Sequence, residues 1–284
     1  MSIPLQINMK WLLLSLIVVP AFALAFEPLN TDDAGTVVAG GNQIEQYYFS
    51  INRSGGSDST DLITPGEEYS GNTDAKAFPF TYTRGLSNTV EASFSTTYFN
   101  QPSGNFSKFA NYVFATKWRF FEDEENKYAL AIKPTLVLPA SKQQQVNGLG
   151  LAAVNYGVNF IASKYWEDIE LHINASYYRS PYNTNYSIGH TADESRTDIL
   201  LLSVAPVWTV IPGLRLAIDV GASTNPPVTQ QYLNYYTLVA AIYSISQSVD
   251  LGVSYMRAAL TYGATIGSAG VGSTRSEIGA TWRF

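Results

Sequence analysis

From residue 42 onward the chain repeats one unit: about ten residues in which apolar and polar side chains alternate, then a turn. In one such unit Ala110, Tyr112, Phe114, Thr116, Trp118 and Phe120 share a face, and Asn111, Val113, Ala115, Lys117 and Arg119 share the other. Leu171, Ile173, Ala175 and Tyr177 alternate in the same way with Glu170, His172, Asn174 and Ser176. Leu214, Leu216, Ile218 and Val220 alternate with Arg215, Ala217 and Asp219, and Ile278, Ala280, Trp282 and Phe284 with Glu277, Gly279, Thr281 and Arg283. A period of two is that of a β-strand with one apolar face. Twelve units follow one another, at 42–52, 76–84, 89–99, 107–120, 128–138, 148–163, 169–180, 197–209, 214–222, 233–245, 249–259 and 273–284.

The connections sort by length. Those after the odd-numbered units are mostly long and rich in Gly, Ser, Asn and Pro, whereas those after the even-numbered units are shorter. An even number of strands with long loops at one end and tight turns at the other is the pattern of a transmembrane antiparallel up-and-down β-barrel. Trp118, Trp166, Trp208 and Trp282 all fall near a short connection or the last residue, which places their indoles in one interfacial girdle.

Composition fits this reading and removes others. The 284 residues are 46% hydrophobic but only 14% charged, and the mean hydropathy is −0.02. A bundle of spanning helices is excluded, because after residue 25 the best apolar stretch, Ile199 to Trp208, is interrupted by Ser203 and Pro206. The absence of cysteine removes thiolate chemistry and cysteine-held metals, and two histidines, His172 and His190, leave little for a histidine site. No cofactor and no metal is expected. The net charge of −6 makes nucleic acid an unsuitable partner.

Residues 1–25 read as a secretory signal peptide: Lys10 closes a short basic region, Trp11 to Val19 is apolar, and Ala23-Leu24-Ala25 is a small-residue cleavage site. Residues 26–41 then form a segment that enters the lumen or lies below it, and residues 42–284 form the barrel. Asp32 and Asp33 read as part of a solvated linker, with a polar plug or site as the alternative.

With the apolar faces toward outer-membrane lipid, the opposite faces line the interior. A basic residue on the lipid face costs about 2–4 kcal/mol at the midplane, so the charges of the strands collect inside. The candidates are Glu91, Lys117, Arg119, Lys133, Glu170, His172, Arg215, Asp219 and Glu277. They either pair across strands and fill the interior or form a constriction that selects what passes. Tyr47 and Phe49 join them if the first strand is registered that way. His172, Asn174 and Ser176 supply hydrolase residue types, and outer-membrane phospholipases are also twelve-stranded barrels. On one strand, however, residues 172 and 176 stand about 13 Å apart, too far for a nucleophile and its base.

Several stretches carry a family resemblance. They are the run from Glu27-Pro28-Leu29-Asn30-Thr31-Asp32-Asp33-Ala34-Gly35-Thr36 to Gly41 and Asn42-Gln43-Ile44-Glu45, then Lys117-Trp118-Arg119-Phe120, Leu138-Pro139, Gly148-Leu149-Gly150, and Thr281-Trp282-Arg283-Phe284. Together they resemble the outer-membrane transporter family named for the meta-pathway of phenol degradation. Ala140-Ser141-Lys142 departs from it, since the family more often shows a glycine soon after that proline. The strand that closes on Phe284 also resembles the C-terminal signal read by the barrel assembly machinery, which makes Trp282 and Phe284 the expected assembly residues. The resemblance implies a Gram-negative outer-membrane barrel, both termini periplasmic, that passively conducts a small hydrophobic or aromatic solute. The alternatives are a non-transporting barrel whose loops bind a partner or surface and, behind it, a lipid hydrolase.

Overall fold

A computed structural model describes residues 28–54, 74–179, 198–224, 233–260 and 272–284. The expected leader, His190 and much of four long connections lie outside the described residues. Twelve strands are described: β1 Asn42–Ser54, β2 Ala75–Gly85, β3 Val90–Gln101, β4 Phe109–Asp123, β5 Tyr128–Val137, β6 Asn155–Tyr165, β7 Ile169–Arg179, β8 Asp198–Ile211, β9 Leu214–Thr224, β10 Leu233–Ser244, β11 Val249–Leu260 and β12 Gly272–Arg283. Each pairs antiparallel with its sequence neighbours, and β12 pairs with β1, so the sheet closes into a barrel without an edge. At the end that carries Asn42 and Arg283 the connections span two to four residues, against seven to twenty at the other. These are the turn end and the loop end.

Eleven strands begin within two residues of the positions expected from alternation; the sixth does not. Alternation places its start at residue 148, but it begins at Asn155, and the chain before it holds a short helix, α1, Lys142–Val146. Ser141 and Gln144 cap each other's backbone in a capping box, a signal that the alternation of Leu149 and Leu151 masks.

Two irregularities in β4 shift the alternation. The register passes from Ser95↔Val113 to Thr97↔Ala110, an extra residue on β4, so Ala110 faces inward with Ala115 and not outward with Tyr112 and Phe114 as expected. A second extra residue between Arg119 and Phe121 leaves Phe120 and Phe121 both exposed.

The outer wall is a belt of exposed apolar side chains, including Phe114, Phe160, Leu202, Ile218, Val239, Tyr255 and Ile278. Only hydrocarbon accommodates such a surface. Trp118, Trp166, Trp208 and Trp282 are all exposed, and all lie at the turn end. Inside, three tyrosines lie flat across a glycine of the neighbouring strand: Tyr47 over Gly279, Tyr178 over Gly157 and Tyr236 over Gly221. A Cβ at any of the three glycines would stand 2.3 Å from the ring, so each glycine makes room for a ring that lies along the wall.

Candidate functional site

Residues 28–39 run through the lumen, and this overturns the solvated-linker reading of Asp32 and Asp33. Loop-forming residue types suggest a solvent-exposed loop, but the inward faces of six strands pair with their backbone and charges. The segment forms an arch. Pro28 lies against Gly252 of β11, and Leu29 joins an apolar cluster with Leu201, Val207, Leu238, Ile242 and Met256. At the other foot the chain leaves the barrel beside β2, where Gly40 N–H donates to the Gly85 carbonyl. Only glycine fits at 85, since a Cβ there would lie 2.0 Å from the Val38 carbonyl oxygen.

Asp219 of β9 forms the first anchorage. Its Oδ2 accepts from the backbone N–H groups of Asn30 at 2.7 Å and Thr31 at 2.8 Å, and its Oδ1 from the hydroxyls of Thr31 at 2.7 Å and Tyr236 at 2.9 Å. The Thr31 hydroxyl also meets Ser203 Oγ of β8 at 2.8 Å, and Arg275 of β12 donates to Asn30 Oδ1 at 2.7 Å. Asn174 of β7 then grips Asp32 as a neighbouring strand would, accepting from its N–H at 2.8 Å and donating to its carbonyl at 2.7 Å. Ala34 N–H donates to Ser163 Oγ of β6, and Val37 N–H to Glu91 Oε2 of β3.

The second anchorage is ionic. Lys117 Nζ of β4, fully buried, lies 3.2 Å from Asp32 Oδ1, 3.3 Å from Glu91 Oε1 and 4.0 Å from Asp33 Oδ1, and donates to the Asp33 carbonyl at 3.2 Å. Lys133 of β5 reaches Asp32 Oδ2 at 2.6 Å from a partly exposed position. Burial alone would raise the Asp32 pKa, but Lys117 and Lys133 outweigh it and hold that carboxyl well below the usual range. Asp33 goes the other way. Burial pushes its pKa up to about 7; Lys117 and His172 oppose the rise, while Asp32 and Glu170 add to it. Its Oδ1 accepts from Gly35 N–H, and its Oδ2 has no hydrogen-bond partner among the described residues.

A pH dependence follows from Asp33. The seated arch keeps the proton to about pH 7, whereas a released, hydrated Asp33 gives it up near 3.8. Between those values the seated arch binds the extra proton, so it is most stable toward pH 4 and loses that advantage as the pH rises to about 7. Asp32 acts in the opposite sense, but only below its ordinary value of 3.8. Protection of residues 28–38 against hydrogen–deuterium exchange, corrected for the intrinsic rate, is expected to fall from about pH 4 to 7 and to lose most of that slope in Asp33→Asn.

The nine expected interior residues all lie on inward faces, in four groups. Glu91, Lys117 and Lys133 meet at the arch, and Asp219 is its other anchorage. Glu170 and His172 pair at 3.3 Å, and His172 Nδ1 lies 2.8 Å from Ser163 Oγ. Ser163 and His172 of this row are buried and Glu170 is partly exposed, and the Ser163 hydroxyl already holds Ala34 of the arch. Near the turn end Arg215 and Arg283 both reach Asp250 Oδ2, at 3.1 and 2.9 Å, and Arg119 meets Glu122. Glu277 lies 3.6 Å from Arg275. Tyr47 and Phe49 also point inward. Trp282 and Phe284 lie against each other outside, tilted by 34° with centroids 4.6 Å apart. Sequence reasoning missed Asn30, Thr31, Ser203, Tyr236 and the roles of Asp32 and Asp33. The one available signal was two lysines facing inward from adjacent strands with few opposite charges beside them.

The sequence matches no family model and no curated protein. Among solved structures the chain is similar to the NanC porin, with a TM-score of 0.51 at 10% identity over 82% of this chain and 98% of that one. It is likewise similar to the KdgM porin in complex with disordered oligogalacturonate, with a TM-score of 0.52 at 8% identity over 85% and 99%. At such identities the shared property is the fold, that of an outer-membrane β-barrel. The protein is accordingly one of the bacterial outer membrane, with the turn end periplasmic and the loop end extracellular.

Proposed function

We propose that this barrel is an outer-membrane channel closed by its own N-terminal arch, and that it passes small hydrophobic or aromatic compounds. The observation that carries the reading is how the arch is held. Its contacts with the wall are predominantly hydrogen bonds and ion pairs, of the kind that water replaces when the arch leaves. Each such bond is worth about 1 kcal/mol net, more where a charge takes part, so the closure is strong in sum yet reversible. A channel with a removable closure needs that balance; a barrel with a purely structural interior does not.

The solute class is supported by the wall that the arch leaves behind. Leu201, Val207, Leu238, Ile242 and Met256 form an apolar stripe on the inner faces of β8 to β11, and the resemblance to the phenol meta-pathway transporters points the same way. The test is uptake of styrene into vesicles whose outer leaflet is lipopolysaccharide, with the full chain and with a chain lacking residues 28–37. Both are expected to exceed protein-free vesicles, the shortened chain by more. Uptake equal to that of protein-free vesicles in both would overturn the transport reading and favour a barrel that acts through its surface loops.

A further inference from the structure

The connection between β5 and β6 folds inward across the extracellular mouth. Gln144 Nε2 of α1 donates to the carbonyls of Ser107 and Phe109, which ties the helix to the start of β4. The helix ends in a Schellman motif: Gly148, with φ of 72°, donates to the Gln145 carbonyl at 3.0 Å, and Leu149 N–H donates to the Gln144 carbonyl at 2.9 Å. In that motif the residue at the Leu149 position ordinarily packs on an apolar side chain one turn back in the helix. Here those places hold Gln143 and Gln144.

Leu149 finds its apolar partners in the barrel wall instead. Held between Gly148 and Gly150, both with positive φ, it is fully buried in one cluster with Phe49 and Ile51 of β1, Ala75 and Ala77 of β2, Phe99 of β3 and Ala110 of β4. Phe49 and Phe99 stand edge to face, with centroids 6.3 Å apart, over three alanines. The space that the Leu149 side chain fills among these two rings, Ile51 and the three alanines is the recess, one side chain in size.

We infer that this recess is an extracellular acceptor site for an uncharged, single-ring apolar molecule, with Leu149 as its built-in stand-in. The inference rests on the transport reading above and names the place where its solute first binds. Withdrawing Leu149 alone returns apolar wall to water, which is unfavourable. The loop therefore leaves in exchange for another apolar occupant, and an occupant that binds only the vacated recess shifts the loop toward its open position. A ring gains edge-to-face contacts with Phe49 and Phe99 that an isobutyl group lacks.

The chain has no cysteine, so Leu149→Cys places a single thiol in the recess. In nanodiscs, saturating toluene is expected to speed modification of that thiol by a membrane-impermeant methanethiosulfonate by about tenfold or more. Modification of Val146→Cys, on the exposed side of α1, is expected to be unchanged. A modification rate of Leu149→Cys that toluene leaves unchanged overturns the acceptor site, whatever the styrene uptake. Faster modification without styrene uptake keeps the site and removes the transport reading. As a second arm, Leu149→Ala is expected to bind fluorobenzene about tenfold more tightly than the unaltered chain, read from 19F line broadening against Val146→Ala. Equal affinity also overturns the site.

Discussion

Lys117→Met is expected to release the arch and so, in the proposed channel, to shift the occupancy strongly from closed to open. The ammonium stands among Asp32, Glu91 and Asp33 with no exposure to solvent, and it also holds the Asp33 carbonyl. Methionine keeps most of the volume, so the loss is one of charge and hydrogen bonding and not of packing. Removing one partner from a buried ionic group costs about 3–5 kcal/mol. Asp32 and Asp33 escape that cost by moving into water with the arch, so it falls on the closed state and leaves the twelve-strand ladder alone. At about 1.4 kcal/mol per factor of ten, the closed-to-open ratio drops by about two to four orders of magnitude. Single-channel occupancy in planar bilayers reads this directly. Lys133→Gln is the contrast: its ion pair is partly exposed, and such pairs contribute about 0–1 kcal/mol. Its effect is expected to stay within about fivefold.

Asp219→Ala is expected to free the other half of the arch. One buried carboxylate accepts two arch N–H groups, the Thr31 hydroxyl and the Tyr236 hydroxyl, and alanine leaves all four donors without it. Bonds to a charged acceptor contribute about 1.5–3 kcal/mol each, although they are not additive. The loss from the seated arch is therefore several kcal/mol. Asp219→Asn retains one acceptor oxygen and is expected to fall between the two. Hydrogen–deuterium exchange of the peptide spanning residues 28–38 is the measurement. Protection is expected to collapse in Asp219→Ala, while peptides of β9 and β10 stay protected by their own ladder. Unchanged protection of the arch would mean that Asp219 does not anchor it.

The barrel was legible because lipid contact forces alternation. Leu214 to Val220 and Ile278 to Phe284 state their faces unaided, and the long and short connections give the polarity. The interior charges followed from the same rule, since Lys117, Glu91 and Asp219 had nowhere else to point. What alternation cannot show is an added residue. It assigns Ala110 outward because the bulge at the start of β4 leaves no mark in the sequence pattern. Leu149 and Leu151 imitate a strand, yet Ser141 and Gln144 two turns earlier already specify a helix. The arch was harder still. Asp32 meets residues 85 to 142 positions away, and nothing local distinguishes an aspartate bound for a lysine across a lumen from one bound for water.

The most direct measurement is a lock between the arch and the wall. Thr31 Oγ1 and Ser203 Oγ are 2.8 Å apart, which places the two positions within reach of a disulfide once both are cysteine. Thr31→Cys with Ser203→Cys, in the Lys117→Met background where open events are frequent, is expected to cross-link on oxidation in a chain with no other cysteine. Oxidation is then expected to abolish the open events, and reduction to restore them. Open events of unchanged frequency and size in the cross-linked protein would contradict closure by the arch.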